Sequence, residues 1–134
     1  MIRVVFVDDD ARLRESWARM LAANKDIELV ATLDRADDLA ERAAQLKPDI
    51  VVLDLTMPGK DPLQACREVS TRTPATRVII YSGLDDSALM DSAYDAGAWA
   101  FVDKLSPPDT IIAVVRSVVG GTPVFPNRAT PFRK

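Results

Sequence analysis

Five short apolar runs punctuate the chain, and none of them alternates between polar and apolar residues. They are Ile2 to Val7, residues 27–32 (IELVAT), Asp49 to Leu53 (DIVVL), Arg77 to Tyr81 (RVIIY) and residues 98–102 (AWAFV). A strand that is apolar on successive residues must be covered on both faces, which is the condition of a parallel sheet. Between the runs lie segments of helical period. Residues 11–23 place Leu13, Trp17, Met20 and Leu21 on one face, and residues 35–46 do the same with Leu39, Ala40, Ala43 and Leu46. Residues 61–71 turn Leu63, Cys66 and Val69 inward, residues 85–95 form a fourth helix with Gly97 at its C-cap, and Pro107 or Pro108 opens a fifth that reaches about Val119. Strands and helices in strict alternation dictate an α/β sheet built from right-handed crossovers.

The 134 residues are one domain's worth of chain. A lone cysteine, Cys66, excludes an internal disulfide, and the absence of histidine excludes histidine triads, metal clusters and proton relays. Chemistry near neutral pH therefore falls to carboxylates, hydroxyls and lysines. Cys66 itself reads as a small core residue. The net charge of −3 argues against free-standing nucleic-acid binding. Residues 120–134 carry three positive charges and no acid, with Gly120, Gly121, Pro123, Pro126 and Pro131 among them. They read as an extended basic tail or truncated linker. No apolar run approaches the ~20 residues that span a bilayer, and Met1-Ile2-Arg3 passes directly into a strand without a signal-peptide pattern. A cytoplasmic protein is expected.

In parallel sheets, ligands gather beyond the carboxyl ends of the strands. Asp8, Asp9 and Asp10 follow the first run, Asp54 the third, Ser82 and Gly83 the fourth, and Asp103 and Lys104 the fifth. Any one of these acids is most simply a loop or capping residue, and Asp10 is placed to cap the first helix. Together they crowd one rim. Two carboxylates about 4 Å apart repel by roughly 4 kcal/mol at an effective dielectric of 20, so a cation must offset them. Mg²⁺ takes one or two carboxylates plus waters and phosphate oxygens. With Lys104 and a hydroxyl on the same rim, the set suits phosphoryl transfer to a carboxylate nucleophile.

These residues resemble the receiver domain of two-component response regulators. The resemblance rests on Val7-Asp8-Asp9-Asp10, the run from Asp49 to Gly59 (DIVVLDLTMPG), Tyr81-Ser82-Gly83 and Phe101-Val102-Asp103-Lys104, with 45 residues from Asp9 to Asp54, 28 from Asp54 to Ser82 and 22 from Ser82 to Lys104. It covers residues 1–119 as a receiver domain. It implies a flavodoxin-like (βα)5 fold with strand order 2-1-3-4-5. By resemblance, Asp54 accepts a phosphoryl group from a histidine kinase. Mg²⁺ is held by Asp9 directly, by Asp8 through water or as an acid just behind the ligands, by Asp54 and by the backbone carbonyl of Thr56. Ser82 and Lys104 hold the phosphoryl oxygens, and Ser82 and Phe101 form the switch, Phe101 turning inward when the phosphoryl group arrives.

Some positions depart from the pattern. Leu105 stands where the family usually has proline, Pro62 where many members have glycine at the start of the third helix, and Asp103 adjoins the lysine. Residues 104–107 and 118–125 resemble the LuxR/NarL-like subfamily, in which a helix-turn-helix DNA-binding unit follows. Direct nucleic-acid contact would need such a unit. Ile111, Ile112, Val114, Val115, Val118 and Val119 span an arc of roughly 160°, wider than the ~100° stripe a surface helix needs, so a homodimer through helix five, with Trp99 at the sheet edge, is a second use for residues that otherwise read as core. Two other readings are weaker. An aspartyl phosphohydrolase of the haloacid-dehalogenase type needs a second Asp two residues after the nucleophile, where Thr56 stands, and acidic groups at a flavin phosphate site argue against an FMN carrier.

Overall fold

The computed structural model describes residues 1–83 and 87–125. Five parallel strands, β1 (Ile2–Val7), β2 (Ile27–Leu33), β3 (Ile50–Asp54), β4 (Arg77–Ser82) and β5 (Ala100–Asp103), form one sheet in the order β2-β1-β3-β4-β5. They alternate with α1 (Ala11–Ala22), α2 (Leu39–Leu46), α3 (Pro62–Arg72), α4 (Ser87–Asp95) and α5 (Pro108–Val119). This is the parallel α/β sheet expected from the unalternating apolar runs, in the flavodoxin-like arrangement that the resemblance implies. Every residue of β3 is buried, as a central strand with helices on both faces requires.

The sheet divides the core in two. On one face Val5, Val7, Val51, Leu53, Val78, Ile80 and Phe101 meet α2, α3 and α4. On the other, Val4, Phe6, Ile50, Val52, Ile79, Tyr81 and Val102 meet α1 and α5. Phe6 stacks on Trp17 at 4.5 Å between centroids, and Tyr81 meets both edge-on. Leu53 is wholly buried, and truncating such a residue to alanine costs about 2–5 kcal/mol. Cys66 is buried, as its core assignment required.

Local chemistry sets the element ends. Asp10 caps α1 by accepting the Arg12 N–H. Asp61 caps α3 through the Leu63 N–H, and Pro62 occupies the first helical turn, where its missing N–H is harmless. Gly97 follows α4 with φ +102°, a left-handed conformation only glycine adopts freely.

Three expectations are corrected. The second helix starts at Leu39 rather than residue 35, because Asp37 spends its carboxylate on the Lys60 N–H at 3.0 Å and so clips the β2–α2 loop to the β3–α3 loop. The left-handed Gly59 permits this approach; a Cβ there would lie 2.5 Å from Asp37 Oδ1. β5 starts at Ala100, not residue 98, because Ala98 still bonds back to Ala93 of α4. Its outer edge is not open at Trp99. Val124 pairs in parallel with Ala100, its N–H donates to the Trp99 carbonyl, and Phe125 is buried. The packed unit thus reaches Phe125, while residues 126–134 of the basic tail lie outside the described residues.

On α5, Ile111, Ile112, Val114, Val115 and Val118 are all buried, so the wide apolar arc serves the core.

Candidate functional site

Strand register brings the acids to one rim. Val7 lies opposite Leu53 and Asp54 opposite Tyr81, so Asp8, Asp54 and the end of β4 emerge side by side. Ser82 pairs with Asp103 at the next step, and its carbonyl accepts the Lys104 N–H at 3.0 Å. The carboxylates of Asp8, Asp9 and Asp54 each present an oxygen within 4.8 Å of the others. Asp8 and Asp54 are each about 1% exposed, whereas Asp9 faces solvent.

Lys104 bridges the two buried acids, with Nζ 3.1 Å from Asp8 Oδ2 and 3.1 Å from Asp54 Oδ1. Its ammonium also lies 5.6 Å from the Tyr81 ring centroid. Burial pulls the lysine's pKa down, but its hydrogen bonds to Asp54 and Asp8, reinforced by their charges, outweigh burial and hold it above the ordinary value. Burial pushes the Asp8 carboxyl up. The Asp10 N–H and the Lys104 ammonium oppose that push, the Asp54 charge adds to it, and the net shift is upward. One lysine does not fully neutralise the pair. The three carboxylates offer hard oxygen donors within reach of one cation, and Mg²⁺ fits that donor set.

Backbone and hydroxyl donors orient the acids. The Asp10 N–H donates to Asp8 Oδ1 at 2.8 Å, and Arg14 Nη1 donates to the Asp8 carbonyl at 2.8 Å. Thr56 donates its N–H to Asp54 Oδ1 at 3.2 Å, and its hydroxyl lies 3.2 and 3.3 Å from the two carboxylate oxygens. The resemblance gives Thr56 a role through its carbonyl alone, and the structure adds the hydroxyl contact. Its signal was legible, because an acid two residues before a threonine favours a local side-chain turn. Arg14 left no such signal, since a helix-surface arginine reads as solvated.

Asp8, Asp9, Asp54, Thr56 and Lys104 therefore meet at one point, and Ser82 is buried on the adjoining strand end. Phe101, expected to turn inward, is already buried at 2% exposure, in the cluster that also holds Phe125. Asp103 does not face the ammonium as a rival: its carboxylate accepts the Leu105 N–H at 2.8 Å and closes the turn that leaves Leu105 in solvent.

Comparison with known proteins agrees with this fold. Residues 4–116 match the response regulator receiver domain. The chain is 30% identical over 130 residues to the transcriptional regulatory protein LnrK of Bacillus subtilis, covering 97% of this chain and 59% of LnrK. It is similar to a two-component response regulator of the LuxR family from Aurantimonas sp. (TM-score 0.86, 30% identity, 91% of this chain and 87% of that one). It is also similar to the receiver domain of the putative response regulator NarL from Mycobacterium tuberculosis (TM-score 0.85, 31% identity, 90% and 97%). The chain spans little more than half the length of the curated relatives it matches.

Proposed function

The chain belongs to the family of response regulator receiver domains of two-component systems, and on that premise we propose that Asp54 is its phosphoacceptor. The observation that carries this reading is the pair of 3.1 Å contacts that hold one ammonium between two buried carboxylates. An Asp54 oxygen attacks phosphorus while the N–P bond of a kinase phosphohistidine breaks. The imidazole nitrogen keeps the electron pair and takes a proton from water. Thr56 holds the Asp54 carboxylate in one orientation, and Lys104 exchanges its carboxylate contact for a phosphoryl oxygen. Ser82, buried beside the site, is the hydroxyl donor to that group. Asp8 and Asp9 with Asp54 and the Thr56 carbonyl would hold Mg²⁺, which when bound neutralises charge on the phosphoryl oxygens.

The product carries about −1.5 to −2 charges and three acceptor oxygens, enough to bias a two-state element. Ser82 and Phe101 form that element. The output is a change in partner binding, as the regulatory part of a longer, cytoplasmic transcription regulator. No helix among the described residues is long and apolar enough to cross a membrane. A homodimer through α5 would use its outward face, which includes Ala113 and Arg116.

Incubation with Mg²⁺ and acetyl phosphate, read by intact mass, tests the assignment. The parent gains one phosphoryl group and Asp54→Asn gains none. Equal modification of both removes Asp54 from the role.

A further inference from the structure

Residues 120–125 have the composition of a linker, yet they return to the sheet. The turn is a defined helix stop. The Gly121 N–H donates to the Val118 carbonyl and the Thr122 N–H to the Ser117 carbonyl at 2.9 Å, with Gly121 at φ +97°. This paired bonding around a left-handed glycine reverses the chain at a helix end. The returning segment then runs along the outer edge of β5. Val124 donates to the Trp99 carbonyl at 2.9 Å and accepts the Phe101 N–H at 3.0 Å. Phe125, 4% exposed, meets the Tyr94 ring of α4 edge-on at 5.7 Å and joins the cluster containing Phe101, Met90, Ala93 and Ala98.

We infer that the β5 edge and the α4 face beside it are a docking site for the chain's own residues 122–125, and that this strap transmits the state of Phe101 to whatever is attached beyond Phe125. The inference rests on Asp54 being the phosphoacceptor and Phe101 part of its switch. The strap bonds to the switch residue through the Val124 carbonyl, and its Phe125 lies in the same apolar cluster as Phe101. Phe101 and Phe125 are buried in one apolar cluster, so burial of each favours burial of the other. A phosphoryl group that draws the Ser82 loop toward Asp54 favours buried Phe101, and it therefore tightens the strap. Coupling of binding free energies is reciprocal: a removed strap must weaken the binding of a phosphoryl mimic by the same factor.

The test uses the full 134-residue chain with Mg²⁺ and beryllofluoride. Residue-resolved amide hydrogen exchange should show the Val124 N–H slowed by about fivefold or more on beryllofluoride binding, the lower range of measured couplings. Phe125→Ala should bind beryllofluoride about fivefold or more weakly, with Phe125→Leu between it and the parent. Unchanged or accelerated Val124 exchange at saturating beryllofluoride overturns the strap, and that arm needs no variant to fold. If the parent binds no beryllofluoride, the phosphoacceptor reading falls and the strap with it; if it binds and Val124 does not respond, only the strap falls.

Discussion

The two rims of the sheet both carry charged side chains but use them in opposite ways. At the amino ends of the strands, charges close the structure. Arg3 donates to the Leu46 carbonyl at 2.7 Å, and Arg77 donates to the Val118 and Val119 carbonyls at 2.7 and 3.1 Å. Each guanidinium thus donates to carbonyls at a helix C-terminus, where a cation also suits the helix dipole. Arg116 reaches Asp26 and Asn24, and the buried Thr76 hydroxyl donates to the Pro48 carbonyl at 2.7 Å. At the carboxyl ends, two buried acids and a third exposed one share a single lysine. Unlike charges meet on the first rim; like charges are held together on the second. The unfavourable rim is the one that can receive a cation and a phosphoryl group.

Removing a cation from each rim separates the two roles. Lys104→Met should lower the acetyl phosphate reaction rate about 10²–10³-fold, the usual loss for one preorganised donor at a transferring group. It should also destabilise by roughly 2 kcal/mol, below the ~3–5 kcal/mol for breaking a fully buried pair, because the ammonium is 22% exposed. Added Mg²⁺ should recover stability but not rate. Urea titration with and without the metal reads the first effect, and intact mass against time the second. Equal rates in parent and variant would remove the rim's proposed role.

Arg77→Met is the counterpart. It loses two bonds to the end of α5 and the guanidinium that sits 4.2 Å over the Trp99 ring. A charged hydrogen bond contributes about 1.5–3 kcal/mol, and the variant should lose about 2 kcal/mol in urea while reacting with acetyl phosphate at the parent's rate. A matching fall in rate would mean that the rims are not separable.

The same contrast explains what could be read from the chain alone. The apolar runs made a parallel sheet covered on both faces legible, while its strand order came from the resemblance to receiver domains. The acids, Ser82 and Lys104 were legible because each follows a strand directly, and register turns that position into proximity. Contacts made only by the fold were not legible. Asp37 looks like any acid at the start of a helix, yet it bonds to Lys60, 23 residues away, and shortens α2. Val124 and Phe125 sit among glycines and prolines that signal a linker, and only the sheet edge beside them shows that they are core.

The smallest expected effect gives the most direct contrast between the rims, since it is one of sign. The pKa of Asp8 is raised in the folded protein, so the native state holds that proton more tightly than the unfolded chain. Its contribution therefore weakens stability as pH rises from the ordinary aspartate range to its raised value. The pKa of Asp26 is lowered, first by the hydrogen bond from Arg116, so its contribution is present above the ordinary range and lost as pH falls through the folded value. In metal-free buffer, the stability of Asp8→Asn minus that of the parent should grow as pH rises through the acid range. The difference for Asp26→Asn should turn negative as pH rises from its lowered value to the ordinary aspartate range, and only slightly, because that pair is solvent-exposed and screened. Denaturant midpoints across the acid range measure both differences. Two slopes of the same sign would mean that the acids on the two rims do not differ in the way their partners dictate.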